Sequence, residues 1–302
     1  MFEMSVVVSC YNQEKYIDAC LLSIINQKVD FTLEVIVSDD SSTDSTPLIL
    51  ESYRKKYPHL FKLNLRKKNV GPAVNYIDLH NSATGNIVVH MDGDDVMEEG
   101  KLKKQYDIFC AYNNVNIVFH RAYILTDSCG KTGVTSYPDI LKESRNHFFC
   151  LRDLAAWGTI AVHSSYAYRR SSRNVRYLDR EFMEWFFAID SLLNGGVGYY
   201  IDEALVSYRS NPNGGSYLNS RSGRYKAYKI YFDDVSHCFE RYPIIAKELY
   251  ANYLFSTIAM FKNMGALPKG SLLFLIKNSS FFSLNLLLNV YRVRNGISVV
   301  PF

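Results

Sequence analysis

The distribution of apolar and polar positions over residues 1–95 predicts strands that alternate with helices. Short apolar runs without polar alternation predict strands, and longer stretches with apolar residues three and four positions apart predict helices. The predicted strands are residues 5–8, 33–37, 61–65 and 87–90, and the predicted helices are residues 14–27, 46–57 and 73–82. This alternation is typical of a Rossmann-like α/β fold, in which helices cover both faces of a mainly parallel sheet.

The pattern changes after residue 95. We predict helices at 102–112 and 181–193, strands at 116–125, 163–169, 197–201 and 204–208, and a polar loop at 126–146. From residue 220 the chain reads as helical, with one or two helices over 225–264 and further apolar segments over 267–302. We therefore expect an α/β domain over residues 1–217 and a helical C-terminal region over 218–302.

Composition narrows the classes of protein that fit this pattern. The 302 residues are 48% hydrophobic and 21% charged, which suits a large folded core. A formal net charge of +4 is too small to indicate a nucleic-acid partner. The six cysteines form no CxxC pair, so we expect reduced thiols and no zinc site. With no signal-peptide pattern and no run of 18 apolar residues, we expect a cytoplasmic protein.

Three polar clusters follow predicted strands, at residues 9–12, 39–44 and 92–95. The carboxyl ends of parallel strands meet at one edge of the sheet, where ligands of such folds bind. We therefore expect these clusters to form one site.

The cluster Asp92-Gly93-Asp94-Asp95 is the strongest candidate for a metal site. Carboxylates at a strand end repel one another unless a cation or hydrogen-bond donors neutralise them, and Mg²⁺ or Mn²⁺ prefers oxygen ligands. Gly93 permits a tight bend. The alternative is a solvated acidic turn in which Asp95 or Glu98 caps the next helix. The preceding strand and the companion clusters favour the metal.

Asp39 and Asp40 end the second predicted strand. Acidic residues at strand ends can hydrogen-bond a nucleoside base or ribose. The alternative is capping of the following helix by residues of 41–44, and the two roles are compatible because different residues can serve them.

These segments resemble family-2 glycosyltransferases of the GT-A fold. The resemblance lies in five motifs that occur in family order within residues 5–95: SVVVSCYN at 5–12, SIINQ at 23–27, VSDDSSTD at 37–44, NVG at 69–71 with Asn75, and HMDGDD at 90–95. An ordered set is more specific than any single motif. The chain departs from the family at Ser41, where a glycine is usual, and we expect this to alter only the turn.

The resemblance implies roles for individual residues. It implies Ser9, Tyr11 and Asp40 near the base, with Asp39 alongside them, and Asp92 near the ribose. It implies Asp94 as principal ligand of a Mn²⁺ or Mg²⁺ ion that bridges the diphosphate, with Asp95 nearby. The predicted nucleotide-sugar site also includes Asn12, Asn69, Gly93 and Arg209.

The segment 201–209 resembles a strand pair of the family that ends in Tyr-Arg, here Tyr208-Arg209. Arg209 either binds the diphosphate or forms a structural salt bridge. Many relatives have a histidine two residues after the arginine. This chain has Asn211 there, followed by Gly214-Gly215-Ser216, so a histidine contribution is not expected.

Inverting sugar transfer, which the family implies, requires a general base for the acceptor hydroxyl. The family places an Asp or Glu at the start of the helix before the Tyr-Arg strand, often followed by Trp, and Glu184-Trp185 fits best. Glu181 and Asp190 are the alternatives. His163 lies where acceptor-binding residues of relatives lie, although a buried histidine satisfied by backbone is an equally simple interpretation.

Basic residues and Leu or Phe alternate over residues 267–302. This pattern indicates either helices that lie on the inner face of the cytoplasmic membrane or a subdomain that packs on the core or on a second copy in a homodimer.

We therefore expect a metal-dependent inverting glycosyltransferase that uses a nucleoside diphosphate sugar, with UDP as the expected nucleotide. Its expected acceptor is a glycan or a polyprenyl-diphosphate-linked saccharide of surface polysaccharide, such as O-antigen or capsule. One alternative is a nucleotidyltransferase, although residues 9–12 are not the glycine-rich basic loop usual in that class. The other is a non-catalytic nucleotide-sugar-binding scaffold.

Overall fold

A mixed sheet forms the centre of the molecule. The computed structural model describes residues 2–144, 147–210, 220–296 and 299–301. The strands are β1 Met4–Cys10, β2 Leu33–Asp39, β3 Phe61–Leu65, β4 Ile87–Asp92, β5 Val96–Met97, β6 Val115–Thr126, β7 Gly130–Thr135, β8 Phe148–Phe149, β9 Ala167–Arg169, β10 Val197–Arg209 and β11 Val299–Pro301. The helices are α1 Ile17–Ile25, α2 Thr46–Lys56, α3 Pro72–Asn81, α4 Lys101–Ala111, α5 Asp139–Ser144, α6 Leu151–Trp157, α7 Glu184–Asp190, α8 Arg221–Arg241, α9 Ala246–Met264, α10 Ser271–Lys277 and α11 Leu284–Gly296.

Strand pairing brings the predicted polar clusters to one edge. The sheet order is β11-β7-β6-β9-β4-β1-β2-β3, and β10 pairs with β5, β6 and β8. Strands β3, β2, β1 and β4 are mutually parallel, whereas β9 pairs antiparallel with β4 and β6, so the sheet is less uniformly parallel than predicted. The register places Cys10 beside Asp39 and Ser9 beside Asp92.

The core lies on both faces of the sheet. Along β1, Val7 packs with residues of α3, α6 and α7, while Val6 and Val8 pack with residues of α1, α2 and α4. All three valines are fully buried. This two-sided burial explains the continuous apolar run in the sequence, because neither face of a central strand meets water.

The predicted polar loop at 126–146 is wrong within the described residues. It contains β7, which forms a hairpin with β6, and the short helix α5. In β7 only Gly133 is buried, and Val134 is the one apolar side chain, so the strand lacks the apolar alternation by which strands are recognised.

Two further predicted elements differ from the structure. The predicted strand at 163–169 begins as a 3₁₀ turn, His163–Ser165, because Ser165 Oγ donates to the Val162 carbonyl at 2.6 Å and competes with strand pairing. The predicted strands at 197–201 and 204–208 are one strand, β10, with an irregularity between Ile201 and Ala204.

Helix α7 is shorter than the predicted helix at 181–193 and is not amphipathic. Every residue from Trp185 to Asp190 is buried, and α6 and α8 both pack against the helix. Burial on all sides removes the polar stripe that an amphipathic helix presents to water.

The C-terminal region consists mainly of helices. A break at Tyr242-Pro243 separates α8 from α9, as expected where proline cannot continue a helix. The segment 267–302 also contains β11, which pairs antiparallel with β7. The proposed boundary at residue 217, Asn211 and residues 214–216 lie outside the described residues. Among the described helices, none combines the length and the apolarity that crossing a bilayer requires.

Candidate functional site

Hydrogen bonds join the loops that follow β1 and β2. The Asn12 backbone N–H donates to Ser42 Oγ at 2.8 Å, and the Thr43 N–H donates to Asn12 Oδ1 at 2.8 Å. Asn12 therefore holds the two loops together. The sequence predicted only a nucleotide contact for this residue.

Ser41 occupies the left-handed region, with φ at 66°. Non-glycine residues are disfavoured there because the Cβ approaches the backbone. This conformation explains why glycine is usual at the position.

The two aspartates after β2 organise loops. Asp39 accepts hydrogen bonds from the backbone N–H of Ser42, at 3.0 Å, and from its hydroxyl. Asp40 accepts the N–H groups of Val70 and Gly71, each at 2.9 Å, and its carbonyl accepts from Asn69 Nδ2 at 3.0 Å. The segments 39–44 and 69–71, which lie apart in sequence, thus form one wall of the site.

Asp92 ends β4 and faces Ser9. Ser9 Oγ donates to Asp92 Oδ1 at 3.3 Å, and the Asp92 N–H donates to Ser164 Oγ at 2.9 Å. At Gly93 a Cβ would collide with the Gln13 side chain and lie 3.0 Å from Cys10 Cβ. A larger residue would force the Gln13 side chain to move and would crowd Cys10, so close packing against the β1–α1 segment favours glycine.

The remaining acidic pair, Asp94 and Asp95, is only partly neutralised by its neighbours. Burial, followed by repulsion from Asp92, raises the pKa of Asp94 to about 6. Burial also raises the pKa of Asp95, which is 1% exposed. Asp95 Oδ1 accepts the Arg209 N–H at 2.7 Å, whereas its buried Oδ2 has no hydrogen-bond partner among the described residues.

These residues fit a divalent cation. An unpartnered buried carboxylate oxygen and mutual repulsion among three aspartates are both relieved by a positive charge. The set consists of oxygen donors, which Mg²⁺ and Mn²⁺ prefer.

A buried lysine acts electrostatically on Asp95. Lys101, at the start of α4, is fully buried, and its Nζ has no hydrogen-bond partner among the described residues. Burial lowers the pKa of Lys101 to about 7, although the charge of Asp95 opposes this shift. The amphipathic pattern of α4 gave no sign of this residue, because lysine is normally exposed.

Arg209 connects the end of β10 to the acidic turn. Its Nε donates to the Asp94 carbonyl at 2.8 Å, and its guanidinium pairs with Asp127 and lies 4.3 Å over the Tyr16 ring. Tyr16 OH donates to Asp127 Oδ2 at 2.7 Å. The salt bridge considered for Arg209 therefore exists, and it holds the guanidinium beside the acidic turn.

Glu184 is the first residue of α7 and faces the same cleft. Its Oε1 lies 3.7 Å from His163 Nδ1, and that nitrogen lies 3.8 Å from Asp92 Oδ2. Partial burial raises the pKa of Glu184 to about 7 and the charge of Asp92 adds to the shift, while 38% of the side chain stays exposed to the cleft. A carboxylate with this pKa is suited to accept a proton near neutral pH.

His163 is not satisfied by backbone, which was the simple interpretation of this residue. Its Nδ1 faces the two carboxylates, and its buried Nε2 has no hydrogen-bond partner in the described part of the chain. Burial lowers the pKa of His163 well below its usual value, so the imidazole between the carboxylates is neutral.

The two alternatives to Glu184 have other contacts. Asp190 accepts the Asn174 N–H at 2.9 Å and pairs with Arg176 at 3.1 Å, so its carboxylate fixes a loop. Glu181 precedes the helix and pairs with Lys226 at 2.7 Å on the surface. The geometry favours Glu184 over both.

The start of α7 is held from the C-terminal region. Asp234 of α8 is fully buried, pairs with Arg180 and accepts the Met183 N–H at 2.7 Å. Met183 is the residue immediately before Glu184, so a side chain of α8 fixes the backbone that carries this carboxylate. The Trp185 ring also lies 5.5 Å from the Tyr231 ring.

A chain of hydrogen bonds runs from the core to Asp92. Tyr168 OH lies 2.8 Å from His80 Nδ1, His80 Nε2 lies 2.9 Å from His90 Nδ1, and His90 Nε2 lies 3.1 Å from Asp92 Oδ1. His80, His90 and His163 are close enough to suggest a metal site. However, the His90 and His163 rings stack at 3.6 Å with an interplanar angle of 21°, so their in-plane lone pairs do not converge on one ion.

The chain is similar in sequence to a known protein family and to several individual proteins. The model of the family described as Glycosyl transferase family 2 matches residues 5–176. The first curated relatives are uncharacterised mycobacterial proteins, 27% identical over 214 residues, or 70% of this chain, and the chain spans 60% of their length. A putative glycosyltransferase of Bacillus subtilis, EpsE, is 29% identical over 220 residues, which are 69% of this chain and 73% of that protein.

Solved structures share the fold. Staphylococcus aureus TarS residues 1–349 in complex with UDP-GlcNAc matches with a TM-score of 0.64 and 21% identity, over 97% of this chain and 88% of that one. A mannosyltransferase from Pyrobaculum calidifontis in complex with GDP-Man and Mn²⁺ matches with a TM-score of 0.60 and 18% identity, over 98% and 85%. The expected GT-A fold with a helical C-terminal region is confirmed.

Proposed function

We propose that this chain, which belongs to glycosyl transferase family 2, transfers a hexose or N-acetylhexosamine from a nucleoside diphosphate sugar to an acceptor hydroxyl. The observation that carries the proposal is the position of Glu184. Its carboxylate, with a pKa of about 7, and Asp92 both lie near His163 Nδ1. The same strand ends carry Asp94 and Asp95, whose pKa values are raised by burial.

The donor site is proposed at the carboxyl ends of β1, β2 and β4. Tyr11 is exposed at the rim and is free to stack on a base. The remaining proposed nucleotide-binding residues are Ser9, Asn12, Asp39, Asp40, Asn69, Asp92, Gly93 and Arg209. We propose UDP as the nucleotide, which similarity to a structure that contains UDP-GlcNAc supports.

Asp94 and Asp95 are proposed to hold Mn²⁺ or Mg²⁺. A divalent cation, when bound, offsets the negative charge that develops on the departing diphosphate. Arg209, fixed against the Asp94 carbonyl, adds positive charge on the same side.

Glu184 is the proposed general base. It accepts the proton of the acceptor hydroxyl while that oxygen bonds to the anomeric carbon. The bond from the anomeric carbon to the diphosphate oxygen breaks, and the nucleoside diphosphate leaves with the electron pair. Attack from the face opposite the leaving group inverts the anomeric configuration. His163, which contacts Glu184, is proposed to line the acceptor side.

The proposed acceptor is a glycan or a polyprenyl-diphosphate-linked saccharide in surface-polysaccharide synthesis. A lipid-linked acceptor places the reaction at the inner face of the membrane. We assign donor binding to residues 1–217 and treat 218–302 as a helical region that supports the base through Asp234.

The first test separates donor binding from chemistry. Thermal shifts with UDP, GDP, CDP and dTDP, each with Mn²⁺ and with EDTA, are expected to show a manganese-dependent rise in Tm with UDP, because a ligand of the native state stabilises it. Glu184→Gln should keep this shift and lose turnover of the UDP-sugar by about 10³-fold.

Glu181→Gln is the matched control, since Glu181 lies three residues away on the surface. It should retain turnover. Loss of turnover in Asp190→Asn, with Glu184→Gln fully active, would transfer the base to Asp190. A folded protein that shows no shift with any nucleotide would support a scaffold instead.

A further inference from the structure

The outer sides of α10 and α11 expose apolar side chains. We call this set the outer apolar face, and its members are between 49% and 71% exposed: Leu272, Leu273, Ile276, Phe282, Leu284, Leu288 and Tyr291. On α11, Leu284, Leu288 and Tyr291 are spaced four and three residues apart and therefore lie along one stripe.

The inner sides of the same helices are also apolar. Val290 and Val293 of α11 are fully buried. Phe274 of α10 stacks on Tyr253 of α9 at 4.2 Å. A helix that packs its inner side into the core and is apolar on the other side as well requires a second apolar environment. The outer apolar face is therefore expected to be covered when the protein works.

Charge identifies what covers it. From residue 249 to residue 302 the sequence contains no Asp or Glu, whereas Lys262, Lys269, Lys277, Arg292 and Arg294 are basic. Arg294 is directed inward and donates to the Trp157 carbonyl at 3.0 Å. Lys269, Lys277 and Arg292 are exposed, and none forms an ion pair with a described residue.

We propose that the outer apolar face docks the protein on an anionic lipid surface. The apolar side chains would enter the boundary between headgroups and acyl chains, and Lys269, Lys277 and Arg292 would contact anionic headgroups. A second copy of this chain suits the face less well. A symmetric contact would bring the same unpaired cations of two copies together, and like charges oppose association. The proposal does not depend on the activity proposed above.

The test is flotation of the full chain with vesicles of phosphatidylcholine, with and without phosphatidylglycerol. Binding is expected on the phosphatidylglycerol vesicles and is expected to weaken as salt is added. Leu284→Gln with Leu288→Gln should weaken that binding by roughly 100-fold, because two apolar side chains lose their burial in lipid. Lys269→Gln, Lys277→Gln and Arg292→Gln together should also weaken it by roughly 100-fold and leave any residual binding to phosphatidylcholine unchanged.

Helix α2 supplies matched controls. Leu48 is 76% exposed, and Lys55 and Lys56 are exposed on the same helix. Leu48→Gln and Lys55→Gln with Lys56→Gln should bind vesicles like the unmodified chain. Circular dichroism melts verify that each variant is folded.

Equal binding to both vesicle types, or equal binding by the α10–α11 variants and the α2 controls, would overturn the proposal. Sedimentation that shows a dimer without lipid, converted to monomer by the Leu284 and Leu288 changes, would assign the face to a second copy. The thermal shift with UDP should be unchanged in all these variants, so failure of the docking proposal is distinguishable from failure of the proposed activity.

Discussion

The acidic strand ends and the C-terminal helices depart in opposite ways from the usual arrangement of globular proteins, in which charged groups are exposed and apolar groups are buried. At the carboxyl ends of β1, β2 and β4, charged groups are buried, and Asp95 is 1% exposed beside the fully buried Lys101. In the C-terminal helices apolar groups are exposed, and Ile276 of α10 is 71% exposed. Each departure is unfavourable in the isolated chain, and we propose a different partner for each: a cation with an anionic donor in one region, and a lipid surface in the other.

Helix α7 connects the two regions. Glu184 faces the acidic cluster, while the residue before it is held by Asp234 and the residue after it packs near Tyr231. The C-terminal helices are therefore not a separate accessory region, because contacts from α8 hold the residues on both sides of the proposed base.

The largest expected effect tests whether the acidic cluster is arranged for a cation. Asp94→Ala should reduce metal-dependent turnover by about 10³-fold and abolish the manganese-dependent thermal shift. The metal-free variant should be no less stable than the unmodified chain, because the change removes a repulsive charge. Asp107→Ala, on the exposed side of α4, is the control. Full turnover in Asp94→Ala would remove this residue from the proposed metal site.

The connection through α7 is tested at Asp234. Asp234→Asn removes the carboxylate that pairs with the Arg180 guanidinium. Because a largely buried charge then lacks its partner, we expect the free energy of unfolding to fall by about 3 kcal/mol. The kcat should fall because the start of α7 loosens, while KM for the donor should change little because Asp234 is not among the proposed donor residues. Asp233→Asn, at an exposed neighbouring position, should alter neither quantity. An unchanged kcat in a destabilised Asp234→Asn would show that the two regions work independently.

The pH dependence of kcat tests the environment of Glu184. Its pKa is raised to about 7, so the carboxylate becomes protonated as the pH falls below that value and then accepts no proton. We expect kcat at saturating Mn²⁺ to fall about tenfold per pH unit below about pH 7 and to level off above it. Saturating metal keeps the proposed cation ligands, Asp94 and Asp95, ionised. A kcat that rises as the pH falls would indicate an essential acid instead.

The smallest expected effect concerns the wall of the donor site. Ser41→Gly should change the free energy of unfolding by less than about 1 kcal/mol, in the stabilising direction. Glycine relieves the cost of a positive φ, although it also raises the entropy of the unfolded chain. The midpoint of urea unfolding measures the change, and turnover should stay the same. A clear loss of stability would mean that the Ser41 side chain contributes a contact of its own.

The parts that sequence predicted well are those in which local pattern and tertiary environment agree. The strand at 61–65 has the predicted bounds, and the polar clusters that follow β1, β2 and β4 meet as expected. Strand β7 was missed because its side chains are mostly polar, although its backbone pairs on both sides.

Residues that act through contacts between distant elements were not predicted. Lys101 and Asp234 look like ordinary surface charges of helices, and only packing shows that both are fully buried. His80 carried no local signal beyond its identity, and His90 carried one only as the first residue of the motif at 90–95. Their proximity to Tyr168 is created by the pairing of β4 with β9, which no short motif records.

The hydrogen bonds between Tyr168 and Asp92 impose a direction. An ionised Asp92 has no hydrogen to give, so His90 must donate from Nε2, and in a neutral imidazole its Nδ1 then accepts. His80 must accordingly donate from Nε2 and accept from the tyrosine hydroxyl at Nδ1. The charge state of one carboxylate at the surface of the cleft thereby selects the tautomers of two rings in the interior. A ligand that changes the hydrogen bonding of Asp92 should therefore change the nitrogen chemical shifts of His80, although His80 lies in the core.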